Sequence, residues 1–280
     1  MDPFVQAYET GFTPNPCLEC NRYLKFQKMF QRANELDIAY LATGHYAQIE
    51  YHADTGRYWL KKAADLSKDQ SYVLYMLNQK QLARIQFPLG GYTKAQVREI
   101  AEENGFVNAR KHDSQDICFV PDGDYTGFLE RYTGKTYPSG NFVDLQGNVL
   151  GQHRGIVRYT IGQRKGLGLA LPQPHYVCAK HMAQNEVVLG LNEDLFTREL
   201  DAFDINLIPY EQLNEPIRVK AKVRYRHTEQ WATVTQTDTD RLHIVFDEPQ
   251  RAITPGQAVV LYDGDYVIGG GTICANQEEL

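Results

Sequence analysis

Across residues 217–226 the chain alternates at every position. Ile217, Val219, Ala221, Val223 and Tyr225 fall on one side, and Arg218, Lys220, Lys222, Arg224 and Arg226 on the other. Successive side chains of an extended strand point to opposite faces, so this period of two specifies a half-buried β-strand. Further strand-like runs at 231–237, 242–246, 258–262 and 266–273, with frequent turns between them, predict a small barrel of about five or six strands. Cations on one whole face of a strand exceed what solubility asks for in a chain of net charge −6. They read as the footprint of a polyanion, with RNA the leading candidate. A solvated strand with acidic neighbours is the alternative.

The N-terminal part reads differently. Residues 2–8 look like a helix start, and Phe26, Met29, Phe30, Ala33 and Leu36 recur at helical spacing. The apolar run 38–43 then predicts a short buried strand, closed by Gly44 and His45. Helix, buried strand and a glycine at the carboxyl end of the strand form the pattern of a doubly wound sheet, whose ligands sit outside those strand ends. His45 is therefore expected to be exposed there, or else to hydrogen-bond the turn. An α/β domain that opens on a loop and helix is expected to lack an earlier strand. A hairpin is predicted over 46–60, turning at Asp54-Thr55-Gly56. Lys68-Asp69-Gln70-Ser71 reads as a helix N-terminus capped by Asp69 or Ser71. Thr93 and Gln96 form a capping box for a helix carrying Val97, Ile100 and Ala101, closed by Gly105. From Asp124 the character changes to a short amphipathic helix (Tyr125, Phe128, Leu129, Tyr132), then hairpin-like strands around a basic loop, Gly162-Gln163-Arg164-Lys165-Gly166. That loop lacks the spacing of a phosphate-binding Walker motif, yet its cations and backbone N–H groups suit an RNA phosphate as well as a plain surface turn. The domains expected are 1–123, 124–198 and 199–280.

The chemistry concentrates in Thr13-Pro14-Asn15-Pro16-Cys17-Leu18-Glu19-Cys20 and in a distant partner, Asp113-Ser114-Gln115-Asp116-Ile117-Cys118. The prolines make the approach to Cys17 stiff. A helix N-terminus, Arg22 and Lys25 are all expected to favour the thiolate at Cys17 and Cys20. Half a zinc site, completed by His112 and Cys118, is one reading of the Cys-x-x-Cys. A redox pair is a second. A third joins Cys17 and Cys20 to Cys118, as a thiol pair for sulfur transfer or as three thiolates for an iron–sulfur cluster with an open iron. Cys178 and Cys274 lie in apolar strand contexts and read as packing residues. Five cysteines, odd in number and sparse, argue for a reducing, cytoplasmic setting. No apolar run is long enough to cross a bilayer, so no membrane partner is expected.

Taken together, Thr13-Pro14-Asn15-Pro16, Cys20-Asn21, Lys25-Phe26, Ala42-Thr43-Gly44-His45-Tyr46, Lys68-Asp69-Gln70-Ser71, Ile117-Cys118-Phe119, Gly162-Gln163-Arg164-Lys165-Gly166, Arg224-Tyr225-Arg226 and Thr254-Pro255-Gly256-Gln257 follow an order that resembles the bacterial tRNA-specific 2-thiouridylase family, over nearly the whole chain. The resemblance implies part of an α/β domain of the adenine nucleotide alpha hydrolase-like (PP-loop) class, a small mixed central domain that binds tRNA and a C-terminal β-barrel. It implies adenylation of the wobble uridine with ATP and Mg²⁺, followed by replacement of its 2-oxygen by sulfur. Cys118 matches the cysteine that carries a persulfide from a sulfur-relay protein, and Cys20 the partner that frees the sulfur, by a disulfide with Cys118 or an equivalent step. Asn15, Pro16 and Cys17 match the segment beside the target base. Gly44 matches an ATP contact, and His45, Lys68, Asp69, Gln70, Arg224, Tyr225 and Gln257 match tRNA contacts. A monomer is implied.

Two departures stand out. The family's Ser-Gly-Gly-x-Asp-Ser loop for the ATP pyrophosphate has no counterpart in this sequence, so adenylation by this chain alone is not expected. Cys17 stands where many members carry aspartate, a candidate general base, and a third thiol keeps a [4Fe–4S] cluster on Cys17, Cys20 and Cys118 open as the alternative. The rival function is a non-catalytic tRNA-binding remnant.

Overall fold

A computed structural model describes residues 1–110, 117–120 and 122–275; the expectations for His112 and for residues 113–116 lie outside them. Helix Asp2–Glu9 opens the chain and buries Phe4, Val5 and Tyr8. These side chains join a core with Leu129, Phe142 and Val177 from much later in the sequence.

The cysteine loop leads into a continuous helical run of three parts: Pro16–Glu19, π-helical turns over Cys20–Lys28, and Met29–Glu35. Phe26, Phe30 and Ala33 are buried as the spacing predicts, whereas Met29 and Leu36 are 38% and 51% exposed. The wider i→i+5 turns put the heptad-like spacing out of phase, so only part of the expected stripe faces inward.

Strand β1 (Leu41–Ala42) is shorter than the predicted run, and Ile38 and Tyr40 are 45% and 58% exposed. The expected buried strand is thus corrected to a two-residue one. Strands β2 (Gln48–His52) and β3 (Arg57–Lys61) form the predicted hairpin. Strand β4 (Ile85–Gln86) pairs in parallel with β1, and β1 has no second partner among the described residues. Leu41 and Ile85 pack against the core that holds Phe26 and Phe30, so this pair is covered on one face only. The helix Lys94–Glu103 has the capping box of Thr93 and Gln96, and of its apolar face Ile100 is exposed while Val97 and Ala101 are half-buried.

The middle of the chain begins with helix Tyr125–Thr133, capped by the Asp124 side chain and closed by Gly134 in the left-handed region. Strands β5 (Gly140–Val143), β6 (Val149–His153), β7 (Tyr176–His181) and β8 (Glu186–Gly190) form a sheet in the order β6-β5-β8-β7. The β5–β8 pair is parallel and the rest antiparallel.

The last strands are β9 (Phe196–Leu207), β10 (Ile217–Lys222), β11 (Gln230–Asp238), β12 (Arg241–Arg251), β13 (Ala258–Asp263) and β14 (Tyr266–Ile273). They run β13-β10-β11-β12-β9-β14, and β13 pairs back onto β14, closing a six-stranded barrel. Closure removes the free edges that an open sheet would expose. The alternation in β10 is borne out: Val219, Ala221 and Val223 are buried in the barrel core with Val234, Ile244 and Phe246. Its strand geometry ends at Lys222, so Arg224, Tyr225 and Arg226 sit in a turn.

The N-terminal hairpin does not stay with β1 and β4. Strand β3 pairs with β14, Leu60 opposite Val267, and extends the barrel sheet. Leu60, Tyr72, Leu74 and Phe26 share one core with Val260, Tyr262 and Val267. The cysteine-bearing helix is therefore packed onto the barrel, 200 or so positions away along the chain.

Candidate active site

The cysteine loop is held at both ends. At its start the Thr13 N–H donates to the Pro255 carbonyl at 2.9 Å, and the Gln257 Nε2 donates to the Thr13 carbonyl at 2.7 Å. Asn15 caps the helix, its Oδ1 accepting from the Cys17 N–H at 3.1 Å. One turn later the buried Asn21 donates from Nδ2 to the Val73 carbonyl at 3.0 Å. Arg22 pairs with Asp204 of β9. The barrel and the turn after Gln70 thus fix where the thiols point.

Cys118 is positioned from the other side. Its neighbours Ile117 and Phe119 pack against the middle core, with the Phe119 ring 5.3 Å from Phe4 and 5.2 Å from Phe128. Between these anchors Cys118 is left exposed, as is Cys17, while Cys20 is half-buried. Cys20 and Cys118 each lie within electrostatic reach of Cys17: burial pushes the Cys17 thiol up, and these two neighbours push it further, against the opposing pull of Lys25. The sequence expectation of a favoured thiolate at Cys17 is corrected. Desolvation and two neighbouring sulfurs outweigh the helix terminus and the ammonium. All five cysteines are free, so the disulfide implied for Cys20 and Cys118 is not formed here. Among the described residues no three His, Cys, Asp or Glu side chains are arranged to hold a metal ion.

His45, expected to be exposed, is buried at 6% exposure. The Phe26 and Phe87 rings each lie 5.8 Å from it and close it off from solvent. Its Nε2 is 3.4 Å from the Lys25 ammonium, and its Nδ1 is 2.8 Å from the Thr43 hydroxyl. An ammonium only donates, so Nε2 accepts and Nδ1 carries the proton. Burial, and then the Lys25 charge, bring the His45 pKa down to about 4, which leaves the ring neutral near pH 7. Gly44 beside it is exposed.

The segment 68–71 works inward. Asp69 accepts from the Ala63 N–H at 2.9 Å, the Ser71 N–H at 3.3 Å and the Ser71 hydroxyl at 2.6 Å, just ahead of the 3₁₀ turn Ser71–Leu74. Gln70 clasps the Tyr46 backbone, accepting through Oε1 at 3.0 Å and donating from its own N–H at 2.9 Å. Lys68 lies in the turn that follows Asp65, its N–H donating to the Asp65 carbonyl. The barrel turn reaches this segment, because the Tyr225 hydroxyl donates to the Asp69 carbonyl at 2.9 Å. Tyr225 lies close enough to the thiols for Cys17 to help raise its pKa, after burial and Asp69. Its ring is 40% exposed and meets Tyr72 edge-on at 5.7 Å.

The basic face is less free than its sequence suggests. Arg218 pairs with Asp247, and both Arg218 and Lys220 lie 5.4 Å from the exposed Trp231 ring. Lys222 leans over Tyr72 and Tyr225, and burial brings its pKa down. Arg224 turns inward altogether, donating to the carbonyls of Ile161 (3.1 Å) and Ala252 (3.0 Å) and to the Thr254 hydroxyl. It joins the basic loop of the middle sheet to the barrel. Arg224→Ala is expected to lower stability by roughly 2–3 kcal/mol, because two carbonyls lose a charged donor. Chemical denaturation of the variant checks this, and a change below about 0.5 kcal/mol would remove Arg224 from the seam.

Asp204, which holds Arg22, carried no sequence signal, and Thr43, which holds His45, stood out only as part of the family motif around His45. Asp204 lies in β9, whose mixed polar pattern gave no strand period, and Thr43 reads as an ordinary strand residue.

Three family models match in succession: a tRNA methyl transferase HUP domain over residues 1–122, a tRNA methyl transferase PRC-barrel domain over 126–191, and an aminomethyltransferase beta-barrel domain over 197–273. The chain is 50% identical over 273 residues to the tRNA-specific 2-thiouridylase MnmA of Lachnoclostridium phytofermentans, covering 98% of this chain and 76% of that protein. It is 51% identical over 270 residues to the protein of the same name from Acetivibrio thermocellus, covering 96% and 75%. With that of Clostridioides difficile it shares 50% identity over 273 residues, covering 98% and 76%. Half identity along almost the full chain establishes that this chain belongs to the tRNA-specific 2-thiouridylase family, whose members are tRNA-uridine 2-sulfurtransferases.

Proposed function

We propose that this chain carries out the sulfur-insertion step of tRNA 2-thiolation, at C2 of the wobble uridine. The observation that supports it most is the convergence of Cys20 and Cys118 with Cys17 beside a barrel turn whose Tyr225 ring is open to solvent. A partly exposed aromatic ring next to reactive sulfur offers a base a stacking surface within reach of chemistry.

The sulfur arrives on Cys118 as a persulfide delivered by a relay protein. On a uridine whose 2-oxygen already carries an adenylyl group, the terminal sulfur attacks C2 and AMP leaves with the oxygen. The Cys20 thiolate then attacks Cys118 Sγ. The S–S bond to the transferred sulfur breaks, its electron pair stays on that sulfur, and a Cys20–Cys118 disulfide forms. A thiol reductant returns both cysteines to the free state in which they are found here.

ATP and Mg²⁺ would supply the adenylyl group. The residues described do not amount to a site for them: Gly44 is exposed and the chain holds no Ser-Gly-Gly-x-Asp-Ser loop. No adenylation step is therefore derived. Asn15 and Pro16 fix the loop beside the base, and His45, Lys68, Asp69 and Gln70 shape the wall that Tyr225 touches. These residues serve tRNA by holding that wall in place, with Lys68 in the turn at its edge.

The test is a thiolation assay with unmodified tRNA, ATP, Mg²⁺ and a persulfide donor. It is run on this chain and on a chimera that adds the part of a 50%-identical relative that this chain does not match. Thionucleoside in either supports sulfur insertion. None in both, with tRNA still bound, selects the non-catalytic tRNA-binding reading.

A second reading is favoured by one observation, the third thiol of Cys17 in the same neighbourhood. Three thiolates suit a [4Fe–4S] cluster with one open iron. The present side-chain arrangement does not form such a cradle among the described residues, so that reading requires the loop to rearrange. Brown absorbance after anaerobic purification, lost in Cys17→Ala, would select it over the persulfide route.

A further inference from the structure

The barrel turn 254–257 touches the loop that carries Cys17 and Cys20, and its contacts are specific. The Thr13 N–H donates to the Pro255 carbonyl at 2.9 Å, and Gln257 Nε2 returns a bond to the Thr13 carbonyl at 2.7 Å. Both backbone groups of Thr13 are thus held by one turn. That turn is itself braced: the Gly256 N–H donates to the Ile273 carbonyl at 3.0 Å, and the Ile273 N–H to the Gln257 carbonyl at 2.8 Å. Gly256 has φ +84°, and a Cβ there would come within 2.9 Å of Phe12 Cβ and 3.1 Å of the Thr13 nitrogen. No larger residue lets the loop approach so closely. Between Thr13 and Cys17 stand only Pro14, Asn15 and Pro16, two of them with φ fixed by their rings.

We infer that Gln257 is a positioning residue, which with Gly256 locks Thr13 to the barrel and so sets where Cys17 and Cys20 are presented. This rests on the sulfur-insertion reading for its purpose, but the lock itself does not. A tether at Thr13 is transmitted through a stiff Pro-Asn-Pro segment to the Asn15 cap and the first helical turn, which carries Cys17 and leads directly into Cys20. The barrel then does more than grip RNA: it holds the register of the reacting sulfur.

The experiment is timed alkylation of the free protein, resolved cysteine by cysteine by mass spectrometry, on Gln257→Ala and Gly256→Ala. Losing one hydrogen bond that restrains the loop should speed alkylation of Cys17 and Cys20 about fivefold. Cys178 and Cys274, in the same molecules, should keep their wild-type rates. Hydrogen exchange of the peptide containing Thr13 should quicken in parallel. Gly256→Ala acts by steric pressure with the Gln257 amide intact, so agreement between the variants assigns the effect to the lock. A variant that is merely unstable would speed all five cysteines together, and that outcome overturns the inference. Unchanged Cys17 and Cys20 rates with weaker tRNA binding would also overturn it, making Gln257 a plain RNA contact. Neither readout requires turnover, so a failed thiolation assay leaves this result standing by itself.

Discussion

Replacing Cys118 with serine is expected to lower thionucleoside formation by at least about a thousandfold while leaving tRNA affinity within twofold. Serine fills nearly the same space, and Ile117 and Phe119 still anchor the segment in the middle core, so the loop keeps its place. What disappears is the atom that carries the sulfur, since a serine hydroxyl, un-ionised at neutral pH, neither accepts nor releases persulfide sulfur. Cys20→Ser should stall later. The persulfide should still load on Cys118 and be visible by mass as one added sulfur, yet turnover should stop because nothing breaks the bond to Cys118 Sγ. The assay is run on whichever form, chain or chimera, gives product with the native cysteines. Product from Cys118→Ser at more than a tenth of the wild-type rate would end the role assigned to this residue. Loaded sulfur on Cys118 with normal turnover in Cys20→Ser would end the one assigned to Cys20.

Much of this architecture was legible from the residues because its causes are local. The period of two in β10 reflects a strand with one face in the barrel core, and Val219, Ala221 and Val223 are there. The capping box at Thr93, the cap at Asp124 and the helix turn behind Asn15 follow from side-chain chemistry within four positions. What was not legible depends on distant partners. The strand β9 mixes charged, polar and apolar residues and has no clean alternation; pairing with β12 and β14 makes it a strand. The hairpin β2–β3 was visible, but not its docking onto β14. His45 looked solvent-facing because a glycine precedes it at a strand end, and only Phe87, some forty positions on, closes the cover. The cations of β10 shared a face as expected. Their partners Asp247 and Ile161 came from elsewhere in the chain and left few of them free. The thiols were legible as a set through the family resemblance, whereas the lock of Thr13 by Gln257 joins residues 244 positions apart and has no local signature.

Acidification should expose the burial of His45. With its pKa held at about 4 against an ordinary 6.5, the folded state binds fewer protons than the unfolded one throughout that window. The sign follows: the full stability is present above pH 6.5 and drains away as pH falls toward 4, by about 3 kcal/mol from this one ring. Paired carboxylates with lowered pKa, among them Glu9, Glu50 and Asp247, lose stability in the same direction at lower pH. His153 and His227, also lowered, do so in the histidine range. Only a difference isolates His45. In His45→Gln the amide cannot take up a proton, so urea unfolding from pH 7.5 to 4 should lose about 3 kcal/mol less than the wild type does. Parallel pH profiles would show that the ring is solvated after all. The same protonation has a local consequence. A charged imidazole can no longer accept from Lys25 Nζ and instead repels it, and Lys25 draws the Cys17 thiol toward its thiolate. Neutral His45, kept so by Phe26 and Phe87, therefore holds that ammonium within reach of the sulfur. His45→Gln at pH 7 should slow Cys17 alkylation only slightly, because the amide can still accept from Lys25, whereas His45→Lys should slow it severalfold by displacing the ammonium.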